Sequence, residues 1–236
     1  MLVAVALFAI ALPAAVEEPR TGAPPTFWPP PALSRERAIA ETVRVDSAGG
    51  GARDTGTGVG IGAHVVLTNA HLTNEPVTRV TRCGDQVLPV NRIDRASDGS
   101  DIAVLTSGGP NLLPVQLAPN DPHPGDRVLL AGFPAGTLTL TEGRVEGFVD
   151  RPEGRVLRFS PEPAVGQSGS ALLDEDGRVA GLAFARDETG GQGLAIPASR
   201  LRGLLDGFRA LGIPIADPVA GDPSAAPARS SPCPST

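Results

Sequence analysis

The chain has 236 residues, 26 of them acidic and 20 basic, for a formal net charge of -6. That length supports a core without metal or disulfide staples, and the acidic balance excludes a general affinity for nucleic acid or anionic membrane surfaces. With 29 Gly and 25 Pro, the composition suits many short strands joined by turns better than long helices.

Met1 to Val16 form an apolar run that closes on Pro13, Ala14 and Ala15, like a signal-peptide core with its small-residue cleavage region. No Arg or Lys precedes the run, and it is shorter than the roughly 20 residues of a spanning helix, so a retained membrane anchor stands beside a cleaved signal. Either way export is expected, to the periplasm, the extracellular medium or the outer face of a membrane. Residues 17–33 are dense in Pro and read as a semi-extended linker. A folded domain is expected over 34–214, and the Pro/Ala/Ser-rich stretch 215–236 as a disordered tail. Cys83 and Cys233 are the two cysteines, and whether they pair is left open.

Inside the domain, short apolar or alternating segments recur between turn residues: Thr42–Val45, Val65–Leu67, Val87–Val90, Ile102–Leu105, Val128–Ala131, Thr137–Val149, Val156–Phe159, Ser170–Leu173, Val179–Phe184 and Gly193–Ile196. Leu201, Leu204, Leu205, Phe208 and Leu211 keep a helical period, with Ser199 as the expected N-cap and Gly212 as the stop. The expectation is an all-β domain with a C-terminal helix.

Acyl transfer by serine needs a hydroxyl, an imidazole to take its proton, a carboxylate to hold that imidazole, and amide donors for the oxyanion. Ser168 lies in Val-Gly-Gln-Ser-Gly-Ser-Ala-Leu-Leu, residues 165–173, where Gly on both sides lets the backbone turn sharply. The amides of Gly166 and Ser168 are the candidate oxyanion donors. The elbow of α/β-hydrolases, Gly-x-Ser-x-Gly, also sets a nucleophilic Ser among glycines, but there the Ser leads into a helix and precedes its Asp and His. Here Ser170–Leu173 leads into the turn Asp174–Gly177 and another strand, and the candidate His71 and Asp101 both precede the Ser. His71 ends Thr-Asn-Ala-His, and Asp101 opens Asp-Ile-Ala-Val-Leu at the head of a buried strand.

These segments, in this order, resemble the trypsin-like serine protease superfamily, in particular its bacterial HtrA-like (Deg) branch. Thr68 to His71, Asp101 to Leu105 and Gly166 to Ser170 match that family's Thr-Asn-x-His, Asp-x-Ala-Val-Leu and Gly-Asn-Ser-Gly-Gly segments. Pro124 to Val128 leading to Gly132-Phe133-Pro134, and Gly193 to Pro197, match further segments. The resemblance covers about Val43 to Leu205 and implies a chymotrypsin-like double six-stranded β-barrel with His71, Asp101 and Ser168 as the triad. It implies protein or peptide substrates, no cofactor and no metal, and a primary pocket lined by Ala183, Phe184 and Ala185. No PDZ module follows, so peptide-gated behaviour is not expected. The exported form is also similar to membrane-tethered periplasmic proteases of this type.

Gln167 replaces the family's Asn or Asp, which implies that no zymogen cleavage is needed, and Ser170 replaces a Gly, which is expected to narrow the site. A site narrowed at Ser170 and Gln167 is the one feature favouring the alternative, a catalytically silent trypsin-like module binding an exported partner. Glu162 either favours a basic substrate side chain or is a solvated loop residue. His64 and His123 are expected at the surface, and no carboxylate or cysteine joins them as a metal cluster.

Overall fold

The computed structural model describes residues 40–49, 52–75, 77–82, 85–187 and 190–216. The apolar run at 1–16, the Pro-rich stretch 17–33, Cys83, Cys233 and the tail from 217 lie outside the described residues.

Short β-branched and aliphatic runs bounded by turn residues form strands packed as two antiparallel units. The first comprises β1 (Thr42–Gly49), β2 (Ala52–Gly62), β3 (Val65–Thr68), β4 (Val77–Arg82), β5 (Gln86–Leu88), β6 (Val90–Arg95) and β7 (Ala103–Ser107). The second comprises β8 (Arg127–Gly132), β9 (Thr139–Arg151), β10 (Gly154–Ser160), β11 (Ala171–Leu173), β12 (Val179–Asp187) and β13 (Gln192–Pro197), after which the chain enters helix α1 (Ala198–Ala210).

The second unit is the expected closed six-stranded barrel, in the order β10-β13-β12-β11-β8-β9. The first is a seven-stranded sheet ordered β5-β4-β1-β2-β3-β7-β6. The extra strand arises at Pro89, which has no N–H to donate and divides the expected Val87–Val90 segment between β5 and β6. Those two strands are consecutive in the chain yet lie at opposite edges of the sheet, so the sheet curls until its edges meet at Pro89. The fold is chymotrypsin-like.

Strand β2 hides its hydrophobic period because one of its faces is glycine. A Cβ at Gly56, Gly58 or Gly62 would fall 2.2, 2.6 and 2.6 Å from Leu72, Val66 and the Pro214 carbonyl, so that face admits no side chain without displacement. The alternate residues Val59 and Ile61 enter the largest core cluster. That cluster also takes Leu67, Ile102 and Val104 from the first unit, Leu129, Ala131, Leu173 and Leu182 from the barrel, and Leu201, Leu205 and Phe208 from α1. The core is therefore shared between the two units and sealed by the helix. A separate cluster of Val43, Val45, Val66, Val80 and Leu88 belongs to the first sheet alone.

The N-cap of α1 is Pro197 rather than Ser199, because the chain passes directly from β13 into the helix through an extended proline. Ser199 sits in the first turn, where its N–H and hydroxyl both bond to Asp121, at 2.8 and 2.6 Å. Gly212 takes φ +82° after the last turn, as a helix stop does, and Leu211 is turned out to 63% exposure. Ile213 and Ile215 return to the shared core and Ala216 N–H bonds to the Ile61 carbonyl at 2.9 Å, so the packed chain runs past the expected boundary at 214.

Candidate active site

His71 begins a 3-10 turn three residues past the end of β3, and Asp101 stands two residues before the start of β7. Because β3 and β7 pair antiparallel with Thr68 opposite Ala103, the strand ends bring the two side chains together. Asp101 Oδ2 lies 2.7 Å from His71 Nδ1, and Asp101 Oδ1 accepts the His71 backbone N–H at 2.9 Å. The carboxylate thus holds both the ring and the backbone of the same residue. An ionised carboxylate has no proton to give, so Nδ1 donates and Nε2 is left with its lone pair toward the cavity. Asn69, fully buried, donates from Nδ2 to the Asp101 main-chain carbonyl at 2.9 Å and so fixes the backbone that carries the carboxylate.

Ser168 comes from the other unit, on the loop between β10 and β11. It shares with His71 a cavity of about 430 Å³ whose walls include Gly166, Ala183, Phe184 and Ala185. The structure therefore brings together all of the residues expected at the site. Ser168 Oγ makes no hydrogen bond to a described residue here. Contacts of this type tighten once substrate is bound.

The loop before Ser168 is tied to itself. Gln167 N–H bonds to the Ala164 carbonyl at 3.0 Å, and the Gln167 side-chain oxygen accepts the Ala164 N–H at 2.7 Å. Gln167 is 3% exposed, and its amide also reaches Thr141 Oγ1 at 3.4 Å, so it braces the loop with no requirement for a new chain terminus. Gly166 takes φ +95°, and a Cβ there would lie 2.4 Å from the Phe133 carbonyl, so both conformation and space demand glycine. The carbonyls of Gly166 and Ser168 are both occupied by bonds from Thr57. The N–H groups of Gly166 and Ser168 have no acceptor among the described residues, which is the arrangement an oxyanion needs.

Ser170 does not narrow the cavity. It is fully buried, with its Oγ where a Cβ on Gly132 would fall, at 2.0 Å, and it faces the barrel wall instead. Glu162 pairs with Arg186 at 3.3 Å, and Arg186 lines the cavity while Glu162 does not, so Glu162 is not aimed at a substrate side chain there. His123 is exposed as expected, whereas His64 is only half exposed and its Nδ1 is buried. No group of metal-ligating side chains occurs among the described residues.

Val165, in the loop before Ser168, is 78% exposed and lines both this cavity and a second of about 680 Å³. Two contributors escape a reading of the sequence. Asn69 is visible only as part of the Thr-Asn-Ala-His segment, and Thr57 carries no signal beyond its place among glycines. Just before Asp101, Asp98 accepts the Ser100 N–H at 2.9 Å and its hydroxyl at 2.8 Å, and Arg200 of α1 donates to that hydroxyl at 2.7 Å. The Ser100 N–H foremost, with that hydroxyl and the Arg200 charge, holds the Asp98 carboxyl below its ordinary range.

Residues 56–182 match the family model of the trypsin-like peptidase domain. The chain belongs to the trypsin-like peptidase family. Among solved structures, the active form of the Rv3671c protease from M. tuberculosis is similar at 25% identity, over 87% of this chain and 97% of that one, with a TM-score of 0.66. Its inactive form aligns at 23% identity over 74% and 91%, with a TM-score of 0.64. The serine endoprotease from Yersinia pestis aligns at 25% identity over 76% of this chain and 66% of that one, with a TM-score of 0.65. No curated protein sequence matches the chain significantly. As a trypsin-like peptidase with these structural relatives, the chain is a serine endopeptidase, and the HtrA-like resemblance agrees with them.

Proposed function

We propose that this endopeptidase cleaves exported polypeptides through an acyl-enzyme, with Ser168 as nucleophile, His71 as general base and acid, and Asp101 as the group that orients His71. The observation that carries this reading is the pair of unoccupied amides at Gly166 and Ser168 beside a histidine held on two atoms by one carboxylate. Ser168 Oγ attacks the scissile carbonyl as its proton passes to His71 Nε2, and the carbonyl oxygen takes up negative charge between the two amides. Collapse of that intermediate expels the amine, which takes the proton from Nε2, and water repeats the sequence to free the acid. Ala183, Phe184 and Ala185 favour a small apolar side chain in the primary pocket. Export rests on the signal-like run at 1–16, which serves as a cleaved leader or as a tether. Ser170, turned away from the cavity, lends no support to the silent binding module that a narrowed site would favour.

The test is labelling of the purified full chain by a fluorophosphonate probe, which reacts with activated serine. Ser168→Ala and His71→Ala should both abolish labelling, and undiminished labelling of either folded variant would overturn the assignment.

A further inference from the structure

Thr57 joins the strand that leads to His71, the loop that carries Ser168 and the barrel wall. It sits in β2, in the first sheet, and is fully buried. Its N–H donates to the Ser168 carbonyl at 2.8 Å. Its hydroxyl donates to the Gly166 carbonyl at 2.8 Å and accepts the Phe133 N–H at 3.0 Å. Its carbonyl accepts the hydroxyl of Thr68, three positions before His71, at 2.6 Å.

From these contacts we infer that Thr57 is a positioning residue for catalysis, whose hydroxyl registers the oxyanion loop of the second barrel against the first sheet. The inference rests on the proposed role of Ser168 and its neighbouring amides.

The hydroxyl does what no apolar side chain of the same shape could. The Phe133 N–H and Gly166 carbonyl are buried backbone groups, and the chain Phe133 N–H to Thr57 Oγ–H to Gly166 C=O satisfies a donor and an acceptor with one atom. A donor that itself accepts a hydrogen bond is polarised and holds its acceptor more firmly. Gly166 sits at φ +95° and is free of side-chain anchorage, so its orientation depends on what holds its carbonyl. With the Thr57 N–H holding the Ser168 carbonyl as well, both residues that present oxyanion donors are clamped by a single residue of the opposite unit. Gly169 approaches the same point closely, since a Cβ there would lie 2.0 Å from the Thr57 carbonyl. Gln167 braces the loop internally, while Thr57 sets where the loop stands relative to His71.

The experiment compares wild type, Thr57→Val and Thr57→Ser in the rate of inactivation by an alkyl fluorophosphonate, separating kinact from KI. The probe's phosphoryl oxygen must enter the oxyanion hole, so kinact reports donor alignment while KI reports cavity binding. Thr57→Val should lower kinact roughly 10²-fold with KI changed less than about 3-fold, and Thr57→Ser should restore kinact to within about 5-fold of wild type. If Thr57→Val does not melt cooperatively, Thr57→Cys is compared with Thr57→Ser, which differ only in sulfur for oxygen. Cys should then be slower in kinact by about 10-fold or more, because a thiol is a weak donor. A folded Thr57→Val with wild-type kinact, or equal kinact in the Ser and Cys variants, overturns the inference while leaving Ser168 as nucleophile. A wild type that does not label at all overturns the underlying reading instead.

Discussion

Replacing Asp101 by Asn tests the orientation of His71 with little change of shape. The Asn side-chain oxygen can still accept the His71 N–H, now received by Oδ1 at 2.9 Å, which leaves the amide NH2 facing Nδ1, where Oδ2 stands at 2.7 Å. The ring then accepts at Nδ1 and carries its proton on Nε2, where it cannot take one from Ser168. To work, the ring must return to the other tautomer, losing a hydrogen bond to a charged group, about 1.5–3 kcal/mol, and leaving a donor unpaired, about 1–3 kcal/mol. The sum, about 2.5–6 kcal/mol, corresponds to a fall of roughly 10² to 10⁴-fold in the chemical step. The second-order rate of fluorophosphonate labelling measures it, with the melting temperature as a control for folding. Labelling within about 5-fold of wild type in a folded Asp101→Asn protein would refute the argument that Asp101 sets the tautomer.

Gly169→Ala places a Cβ within 2.0 Å of the Thr57 carbonyl at a backbone φ of +81°, so it should destabilise the fold by at least about 1–2 kcal/mol and abolish labelling. A wild-type melting temperature would contradict it. Asp98 is held below its ordinary value of 3.8, so its stabilising contribution is complete above that pH and is lost as the pH falls through the lower folded-state value. Asp98→Asn should therefore flatten the loss of stability below pH 3.8 relative to wild type, as read from denaturant unfolding across acid pH. An unchanged acid limb in the variant would count against the Ser100 contacts.

The residues of the candidate site were legible because they come in contiguous segments: Thr68 to His71, Asp101 to Leu105 and Gly166 to Ser170 each combine a polar residue with the strand or turn that presents it. Strand positions were legible where short apolar runs stand between turn residues, as in β3, β7 and β12. Strand β2 was not, because one of its faces is glycine for reasons of close approach that no period of hydrophobicity records. The division of residues 86–95 into two strands at the opposite edges of a curled sheet is likewise a tertiary outcome. Ser170 misled because its place beside the nucleophile says nothing of which way it points. Gly132, distant in sequence, leaves the space that takes its hydroxyl away from the cavity. Thr57 was silent for the same reason, since each partner of its hydroxyl lies at least 76 residues away.

Because the proposed base and nucleophile stand on different units, the shared core should matter to chemistry as well as to stability. Ile102, fully buried beside Asp101, belongs to the cluster that spans both units. Leu88, equally buried, belongs to the cluster confined to the first sheet. Truncating either to Ala should destabilise the fold by about 2–5 kcal/mol, the ordinary range for emptying such a site. Only the Ile102 cavity opens between the elements that carry His71, Asp101 and Ser168. Well below the melting transition of both variants, Ile102→Ala should lower the labelling rate at least about 10-fold, since displacements of a fraction of an ångström suffice, while Leu88→Ala should stay near wild type. Equal rates in two folded variants of equal stability would mean that the Thr57 bonds and the loop's own bracing set the alignment without help from the shared core.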